Sequence, residues 1–349
     1  MTHFAANNIL LRFSDKQKEA IHKTLSVPSK IVITTHYRPD GDAMGSSLGL
    51  YNYLKKKGHQ VNVVVPSEYP DFLSWLPGSS DVLNYETAKE VSDTLISNAE
   101  IIFCLDYNQL NRIELMEGAV RNSKAKRILI DHHLDPEEVF DISVSYQDVS
   151  STCELIFDFI LALDDLKSID KAIAECIYCG IMTDTNSFRY SSMKVRTHHI
   201  VAGLIEAGAE NHIIHELVYD NSSEGRLRLL GHSLLNKLVI LREYNTAYIS
   251  LSEAELIKFD FKSGDTEGFV NVALGVSGIR LALFFSEKDG MIKISFRSKK
   301  DFSVKELSAK YFKGGGHKNA SGGSSNDTME NTIKKFVEIL PLYKSQLTD

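Results

Sequence analysis

The sequence is poor in the features that mark secreted and membrane-spanning proteins. Its 349 residues include four cysteines and one tryptophan, and four cysteines are too few for a disulfide framework in a chain of this length. The chain has no run of about 18 apolar residues, the length that a membrane helix needs. It also begins without the basic region and apolar core of a secretory signal. We therefore expect a cytoplasmic protein without a membrane-embedded part.

Two of the cysteines, Cys176 and Cys179, form a C-x-x-C pair. This spacing occurs in redox-active sites and in one half of some zinc sites. However, the pair lies in KAIAECIYCGIM, which has the apolar pattern of a helix, and the chain has no second C-x-x-C. We therefore interpret both cysteines as small buried hydrophobic residues.

The charge balance argues against a protein that binds long nucleic acids by charge alone. The net charge is −7 at pH 7, whereas duplex binding of that kind needs many basic contacts. Residues 240–349 hold 16 Lys and Arg against 14 Asp and Glu, and the preceding residues hold 23 against 32. Divalent ions bound by the acidic part would recover some of this charge. A small phosphate-bearing substrate is therefore compatible with the composition.

Apolar runs alternate with helical patterns in the first part of the chain. The runs that predict strands are IVITT (31–35), QVNVVV (60–65), IIFCLD (101–106) and RILIDHH (127–133). Because they are apolar rather than alternating, they are typical of a parallel sheet that helices cover on both faces. Mainly helical patterns follow up to residue 220. Residues 1–220 therefore predict an α/β domain with a doubly wound, mainly parallel sheet.

The pattern changes after residues 221–239, which predict a polar linker and a connecting helix. RLALFFSE (280–287) and MIKISFRS (291–298) then flank Asp289-Gly290, a strong signal for a β-hairpin. Residues 240–349 therefore predict a second, smaller α+β domain.

Polar residues collect at the ends of the predicted elements of the first domain. Three predicted strands end in or are followed by His and Asp residues, namely His36, Asp40, Asp42, Asp106, Asp131, His132 and His133. Asp184 ends a predicted helix. In open α/β sheets, ligands bind beyond the carboxyl ends of the strands. We therefore expect these segments to converge on one crevice.

The chemistry of this set predicts a metal centre. Each segment alone has an ordinary explanation, because Asp-Gly-Asp is common in turns and a single Asp often caps a helix. Together they offer carboxylates and imidazoles without a thiolate, which suits a hard or borderline ion such as Mn²⁺. The number of ligands suffices for two ions, about 3.5–4 Å apart, that hold a bridging hydroxide and polarise a phosphoryl oxygen.

Four segments, THYRPDGDAMGSS, CLDYN, LIDHH and GIMTDTNSF, resemble the successive motifs of the DHH phosphoesterase superfamily. FRSKKDFSVKELSAKYFKGGGHKNASG resembles its DHH-associated C-terminal domain. The resemblance covers nearly the whole chain and is greatest to the stand-alone bacterial oligoribonuclease (nanoRNase) and pAp phosphatase type. It also suggests a homodimer.

The resemblance implies two Mn²⁺ ions, for which Mg²⁺ or Co²⁺ could substitute. One ion would be bound by His36, Asp40 and Asp106. The other would be bound by Asp42, Asp106, His132 and Asp184, so that Asp106 bridges the two ions.

Two further residues receive catalytic roles from the resemblance. Asp131 would orient the histidine pair, and His133 would contact the scissile phosphate or protonate the leaving oxygen. The chain departs from the family in having Asn186 where the fourth motif usually carries Gly. Since Asn tolerates left-handed backbone geometry, we expect little loss from this change.

The second domain carries the candidate substrate-binding residues. Three glycines let a backbone approach a phosphate closely, and Arg can bind a phosphate with two hydrogen bonds. The candidates are Arg297, Ser298, Gly314, Gly315, Gly316 and His317. A flexible turn is the alternative explanation of the glycines. We expect the substrate to bind in the cleft between the two domains.

Together with the metal centre, the resemblance implies a Mn²⁺-dependent phosphoesterase that hydrolyses short RNA to nucleoside monophosphates and dephosphorylates pAp to AMP. A bridging hydroxide would attack phosphorus in line. The alternatives are a cyclic or linear di-adenylate phosphodiesterase, a manganese inorganic pyrophosphatase and a nucleotide sensor without catalysis. The GGGH run argues against the pyrophosphatase, and the complete ligand set argues against the sensor.

Overall fold

The structure is a computed structural model that describes residues 12–190, 192–262 and 264–348. The chain divides into two units, the first ending at Asn221 and the second beginning at Ser222. The segment 221–239, which we predicted as a polar linker and a connecting helix, contains the helix Glu224–His232, whose Leu229 is buried in a hydrophobic core of the second unit.

The first unit is built on a parallel sheet. Its strands are β1 (Lys30–Thr34), β2 (Gln60–Val65), β3 (Leu83–Asn84), β4 (Ile101–Leu105), β5 (Lys126–Asp131) and β6 (Ile142–Ser145). They pair in the order β3-β2-β1-β4-β5-β6, and every pairing is parallel. The strand order reverses between β1 and β4, which is where ligands bind in doubly wound sheets. The predicted fold of this unit is confirmed.

Helices cover the sheet and bury its apolar strands. They are α1 (Asp15–Thr24), α2 (Gly41–Lys56), α3 (Lys89–Asn98), α4 (Glu117–Asn122), α5 (Thr152–Ala162), α6 (Lys171–Asp184), α7 (Val195–Glu206) and α8 (Asn211–Tyr219). All five residues of β4 are buried, as expected for a strand covered on both faces. Cys176 and Cys179 are buried in α6 as free thiols, which confirms their interpretation as hydrophobic residues.

Glycines bring α2 very close to α6. A Cβ atom on Gly45 would lie 2.5 Å from the carbonyl oxygen of Cys176. A Cβ atom on Gly180 would lie 2.1 Å from Sγ of Cys153, which belongs to α5. These distances are far below van der Waals contact, so three helices meet at positions where larger side chains do not fit. The amino terminus of α2 thereby reaches the carboxyl terminus of α6.

The second unit contains a mixed sheet. Its strands are β7 (Val239–Leu241), β8 (Thr246–Leu251), β9 (Leu281–Lys288), β10 (Met291–Ser298), β11 (Gly315–Gly316) and β12 (Ala320–Ser325). The order is β11-β12-β10-β9-β8-β7, with β8 and β9 parallel and the other pairs antiparallel. The predicted hairpin at Asp289-Gly290 is confirmed, since both residues have positive φ (53° and 70°), as in a type I′ turn.

The helices of the second unit are α9 (Glu224–His232), α10 (Glu253–Lys258), α11 (Phe269–Leu274), α12 (Val304–Tyr311), α13 (Met329–Ile339) and α14 (Lys344–Thr348). Aromatic residues such as Phe285, Phe296 and Phe336 fill one of its two hydrophobic cores. Within the described ranges, no helix of either unit combines the length and the apolar character that a membrane span requires.

The close contact of α2 with α6 predicts a strong response to one added methyl group. We expect Gly45→Ala to lower the free energy of unfolding by about 1–3 kcal/mol, because the methyl group would overlap a backbone oxygen that cannot rotate away. Urea unfolding of the two proteins measures the difference.

The matched control is Gly118→Ala, because Gly118 is an exposed helical glycine of the same unit, and a Cβ atom added to it would have no neighbour within 4 Å. This change should be neutral or stabilising by up to about 1 kcal/mol. Equal stability of the Gly45→Ala variant and the wild type would show that the two helices can separate without cost.

Candidate metal centre and active site

The loop after β1 places an imidazole at the sheet edge. Nδ1 of His36 lies 2.9 Å from the carbonyl oxygen of Tyr37. When Nδ1 carries the proton it donates to this carbonyl, and Nε2 is then the ring atom available as a metal ligand. Nε2 is 3.5 Å from Oδ2 of Asp106 and 3.9 Å from Oδ1 of Asp40.

Two carboxylates flank the start of α2 and are fixed by backbone N–H groups. Asp40 is the N-cap of α2, and its Oδ1 accepts hydrogen bonds from the backbone N–H groups of Asp42 (3.0 Å) and Ala43 (3.1 Å). Asp42 is buried and faces the amino terminus of α5. Its Oδ2 and Oδ1 accept from the backbone N–H groups of Thr152 (2.6 Å) and Cys153 (2.8 Å).

Asp106 lies at the centre of the cluster, directly after β4. Its backbone has φ of 62°, a left-handed conformation that Asp adopts more readily than most residues. Its Oδ2 faces His36, and its Oδ1 is 3.4 Å from Nε2 of His132. Nε2 of His132 is also 3.9 Å from Oδ2 of Asp42 and 3.7 Å from Oδ2 of Asp184. The structure thus brings together all six predicted metal ligands.

Asp131 and His133 form a separate pair beside this cluster. Oδ1 of Asp131 lies 2.7 Å from Nδ1 of His133, and Oδ2 accepts from the backbone N–H of the same residue at 3.0 Å. Asp131 is fully buried. Nδ1 of His133 is 3.8 Å from Oδ1 of Asp106. The contacts are those that a carboxylate orienting an imidazole would make.

The electrostatics of the cluster favour added positive charge. Burial lowers the pKa of His36 and His132, but hydrogen bonds with Asp106 and the neighbouring carboxylate charges raise both pKa values well above 6.5. Burial raises the pKa of Asp106, but hydrogen bonds with the two histidines hold it well below its usual value. Protons or cations bound at this position therefore relieve repulsion between the carboxylates.

The pKa values of Asp42 and Asp184 shift upward, in the opposite direction from the pKa of Asp106. Burial and the charges of Asp106 and Asp184 raise the pKa of Asp42 well above its usual value. Partial burial raises the pKa of Asp184 to about 6, against the attraction of His132. These carboxylates lack sufficient positive charge in their surroundings, which a divalent ion would supply.

The donor atoms fall into groups that fit divalent ions. His36, Asp40 and Asp106 each offer a ligand atom within 4.8 Å of the others, and so do Asp42, His132 and Asp184. A third group is formed by Asp106, Asp131 and His133. The donors are carboxylate oxygens and imidazole nitrogens, a set suited to Mn²⁺ and similar ions.

The turn after Asp184 is more strained than the sequence indicates. Asn186 has φ of 51°, as we expected for a residue in a glycine position. However, Ser187 and Phe188 also have positive φ (59° and 63°), at a typical cost of roughly 1–2 kcal/mol for each such residue. The hydroxyl of Thr185 accepts the backbone N–H of Phe188 at 3.0 Å and helps to hold this turn.

In the second unit, Arg297 and Ser298 are the last two residues of β10, and they differ in how many of their polar side-chain atoms are hydrogen-bonded. Nη1 of Arg297 donates to the carbonyl oxygen of Phe296 (3.0 Å), and its buried Nε has no hydrogen-bond partner among the described residues. The hydroxyl of Ser298 donates to the carbonyl oxygen of Phe302 (2.6 Å) and accepts from Nδ2 of Asn319 (2.9 Å). Ser298 therefore has a structural role, whereas Arg297 retains unused donor capacity.

The glycine run forms part of the sheet rather than a flexible turn. Gly315 and Gly316 make up β11 and pair with Gly322 and Ser321 of β12. A Cβ atom on Gly314 would lie 2.2 Å from the carbonyl oxygen of Gly322, so glycine is needed there for close packing. The hairpin closes at His317, whose N–H donates to the carbonyl oxygen of Ala320 at 2.7 Å.

Sequence reasoning missed the backbone and hydroxyl groups that hold the carboxylates. Thr152 donates its N–H to Asp42 and its hydroxyl to Asp106, and the carbonyl oxygen of Tyr37 faces His36. The sequence does contain a signal for the start of α5, the pattern Ser151-Thr-Cys-Glu154. In the structure, the Ser151 hydroxyl accepts the N–H of Glu154 at 3.2 Å. This pattern predicts where α5 begins but not what its first turn contacts.

Comparison with known proteins gives the family. Residues 30–181 match the DHH family N-terminal domain, and residues 245–343 match the DHHA1 domain. The bifunctional oligoribonuclease and PAP phosphatase NrnA of Bacillus subtilis (strain 168) is 29% identical, and the alignment covers 88% of this chain and 93% of that protein. The probable bifunctional oligoribonuclease and PAP phosphatase NrnA of Streptococcus mutans is 30% identical, covering 86% and 91%.

A solved structure shows the same fold over almost the whole chain. The crystal structure of an exopolyphosphatase-related protein from Bacteroides fragilis matches with a TM-score of 0.93 and 44% identity, covering 96% of this chain and 98% of that one. The resemblance inferred from the motifs is therefore confirmed. The protein is an enzyme that belongs to the DHH phosphoesterase family and also carries a DHHA1 domain.

Proposed function

We propose that this protein is a Mn²⁺-dependent phosphoesterase that hydrolyses short RNA oligonucleotides to nucleoside monophosphates and dephosphorylates pAp to AMP. The observation that carries the chemistry is the grouping of six candidate His and Asp ligands, with Asp106 at the centre, at the carboxyl edge of the first sheet. Two relatives described as oligoribonuclease and PAP phosphatase align with most of the chain, which supports the choice of substrates.

The proposed centre would hold two metal ions. His36, Asp40 and Asp106 would bind one ion, whereas Asp42, His132, Asp184 and Asp106 would bind the other. When bound, the ions act as Lewis acids toward a phosphoryl oxygen and activate a water molecule. Asp106 suits the bridging role because its two oxygens face different imidazoles, at 3.5 and 3.4 Å.

His133 is the proposed source of the proton for the leaving oxygen. Asp131 accepts a hydrogen bond from Nδ1 of His133, which fixes the orientation of the ring. Nε2 is then the ring atom that would transfer a proton to the departing ribose oxygen. Because Asp131 is fully buried and bonded twice to His133, it orients the ring rather than meeting the substrate.

The second unit is proposed to bind the non-reacting part of the substrate. Arg297 is the first candidate, because its guanidinium has unused donors and can form paired hydrogen bonds with a phosphate. Gly315, Gly316 and His317 are proposed to contribute contacts from the hairpin formed by β11 and β12. Ser298 is the weakest candidate, since its hydroxyl is already bonded within the unit.

Polyphosphate is the second candidate substrate. The Bacteroides fragilis protein that is 44% identical to this chain is described as exopolyphosphatase-related. The same metal centre could act on a phosphoanhydride, so only the substrate-binding residues would differ. Di-adenylate signals are a further alternative, because they present the same phosphodiester chemistry.

The substrate assignment is tested by measuring turnover with Mn²⁺ on a matched set of phosphate compounds. The set contains a 5′-phosphorylated RNA dinucleotide, a 24-nucleotide RNA, pAp, cyclic di-AMP, pyrophosphate and polyphosphate. We expect the dinucleotide and pAp to be hydrolysed at least about 10-fold faster, in kcat/KM, than the other compounds. Faster hydrolysis of polyphosphate or cyclic di-AMP would replace the proposed substrate while leaving the metal centre in place.

The bridging role of Asp106 is tested by Asp106→Asn. Asn keeps the shape of the side chain and tolerates the left-handed backbone, so the variant should fold. We expect it to bind fewer than two Mn²⁺ ions per chain after dialysis and to lose nearly all turnover of pAp. Asp15→Asn, at an exposed position of α1, is the control and should behave as the wild type. Two tightly bound ions and substantial turnover in Asp106→Asn would exclude a bridging role.

Arg297→Ala tests the proposed phosphate contact in the second unit. Loss of a charged hydrogen-bond donor should raise KM for pAp about 10- to 100-fold while the Mn²⁺ content stays unchanged. The control is Arg228→Ala, because Arg228 is an exposed arginine of the same unit that pairs with Glu224. An unchanged KM, or a loss of bound Mn²⁺, would show that Arg297 does not bind substrate.

A further inference from the structure

Thr152, the first residue of α5, contacts two predicted metal ligands at once. Its hydroxyl donates to Oδ1 of Asp106 at 2.9 Å, and its backbone N–H donates to Oδ2 of Asp42 at 2.6 Å. Thr152 is completely buried, and the segment Ser150–Cys153 around it is buried as well. Asp42 lies in the first turn of α2 and Asp106 directly follows β4, so one residue joins the carboxylates of two separate elements.

We propose that Thr152 is a positioning residue that holds Asp106 and Asp42 in the orientation that metal binding requires. This inference rests on the proposed function, because it assigns Thr152 a role in the same metal centre. In this role Thr152 acts through the two carboxylates that it contacts.

The hydroxyl is the part of Thr152 that the backbone cannot replace. Oδ1 of Asp106 is also 3.4 Å from His132 and 3.8 Å from His133, so this oxygen faces the centre of the cluster. A carboxylate oxygen has two acceptor positions, and the hydroxyl occupies one of them. Without this donor, the carboxylate of Asp106 could turn about its side-chain bond and lose its alignment with the second group of ligands.

The first turn of α5 is itself held firmly in place. Oε2 of Glu154 accepts hydrogen bonds from N–H (3.1 Å) and Oγ (2.6 Å) of Ser150, as well as from the hydroxyl of Thr197 (2.9 Å). Arg196 of α7 pairs with both Glu154 and Asp158 of α5. These buried contacts keep α5 from shifting along its axis. Thr152 therefore presents its two donors in a fixed geometry before any ion binds.

The experiment compares two variants. Thr152→Val replaces the hydroxyl with a methyl group and keeps the branched shape of the side chain, whereas Thr152→Ser keeps the hydroxyl. Mn²⁺ binding to the metal-free full-length proteins is measured by titration calorimetry, and kcat and KM are measured with pAp. We expect Thr152→Val to bind Mn²⁺ about 10- to 100-fold more weakly. At saturating Mn²⁺ its kcat should fall more than its KM changes. Thr152→Ser should restore both properties to within about 3-fold of the wild type.

The control for the general effect of removing a buried hydroxyl is Thr246→Val. Thr246 is completely buried in β8 of the second unit, where its hydroxyl donates to the carbonyl oxygen of Tyr244. We expect this variant to bind Mn²⁺ as the wild type does. If Thr152→Val does not fold, Thr152→Ala removes the same hydroxyl without placing a methyl group beside Asp106.

The outcomes separate this inference from the proposed function. Wild-type Mn²⁺ affinity in a folded Thr152→Val or Thr152→Ala protein would overturn the positioning role even if the enzyme hydrolyses RNA and pAp. Weak binding that Ser does not restore would overturn it as well. If the wild type binds Mn²⁺ but cleaves neither substrate, the proposed function fails while the calorimetric comparison still decides the role of Thr152. If the wild type binds no Mn²⁺, both proposals fail.

Discussion

Repulsion between the carboxylates around Asp106 is the constraint on which the first unit depends. Two unit charges 4 Å apart interact by about 4 kcal/mol at an effective dielectric constant of 20, so Asp42 and Asp106 could not be buried together without compensation. Part of the compensation comes from two sources. Imidazoles lie within 3.5 Å of both oxygens of Asp106. Two backbone N–H groups at the amino terminus of α5, where the helix carries partial positive charge, bind both oxygens of Asp42.

The same short stretch of sequence provides both a candidate metal ligand and a helix contact. GDAMGSSLG forms the first part of α2, with Asp42 in the first turn, and its glycines let α2 approach α6 at Gly45. The small residue Gly180 leaves room for Cys153, whose N–H binds Asp42. A larger residue at either glycine would push the helices apart and move the ligands with them. The loop that appears in the sequence as a metal-binding motif is therefore also a helix-packing motif.

The first sheet and the grouping of the candidate metal ligands could be predicted because they rest on strong local signals. Apolar β-branched runs identified β1, β2, β4 and β5, and the ends of parallel strands necessarily share one edge of the sheet. The hairpin between β9 and β10 followed from Asp289-Gly290 in the same way. In these segments the side chains alone determine the local structure.

The elements that were missed depend on their neighbours instead. β12, Ala320–Ser325, is rich in Gly and Ser and has no apolar alternation, so its sequence does not predict a strand. It forms because β10 and β11 pair with it on either side and because Gly323 leaves space for the ring of Phe296. Gly315 and Gly316 were expected to bind phosphate and also serve as the partners of β12.

The contacts of the candidate site also differ in whether the sequence alone reveals them. His36, Asp106 and His132 carry distinctive chemistry and are visible in the sequence. Every residue except proline has a backbone N–H, however, so nothing in the sequence shows that the N–H groups of Thr152 and Cys153 bind Asp42. Ser298 illustrates the converse, since its position suggested a substrate contact but its hydroxyl is bonded to Phe302. Sequence patterns identify the groups that can react, whereas the tertiary structure decides which of them are held in place and which are already engaged.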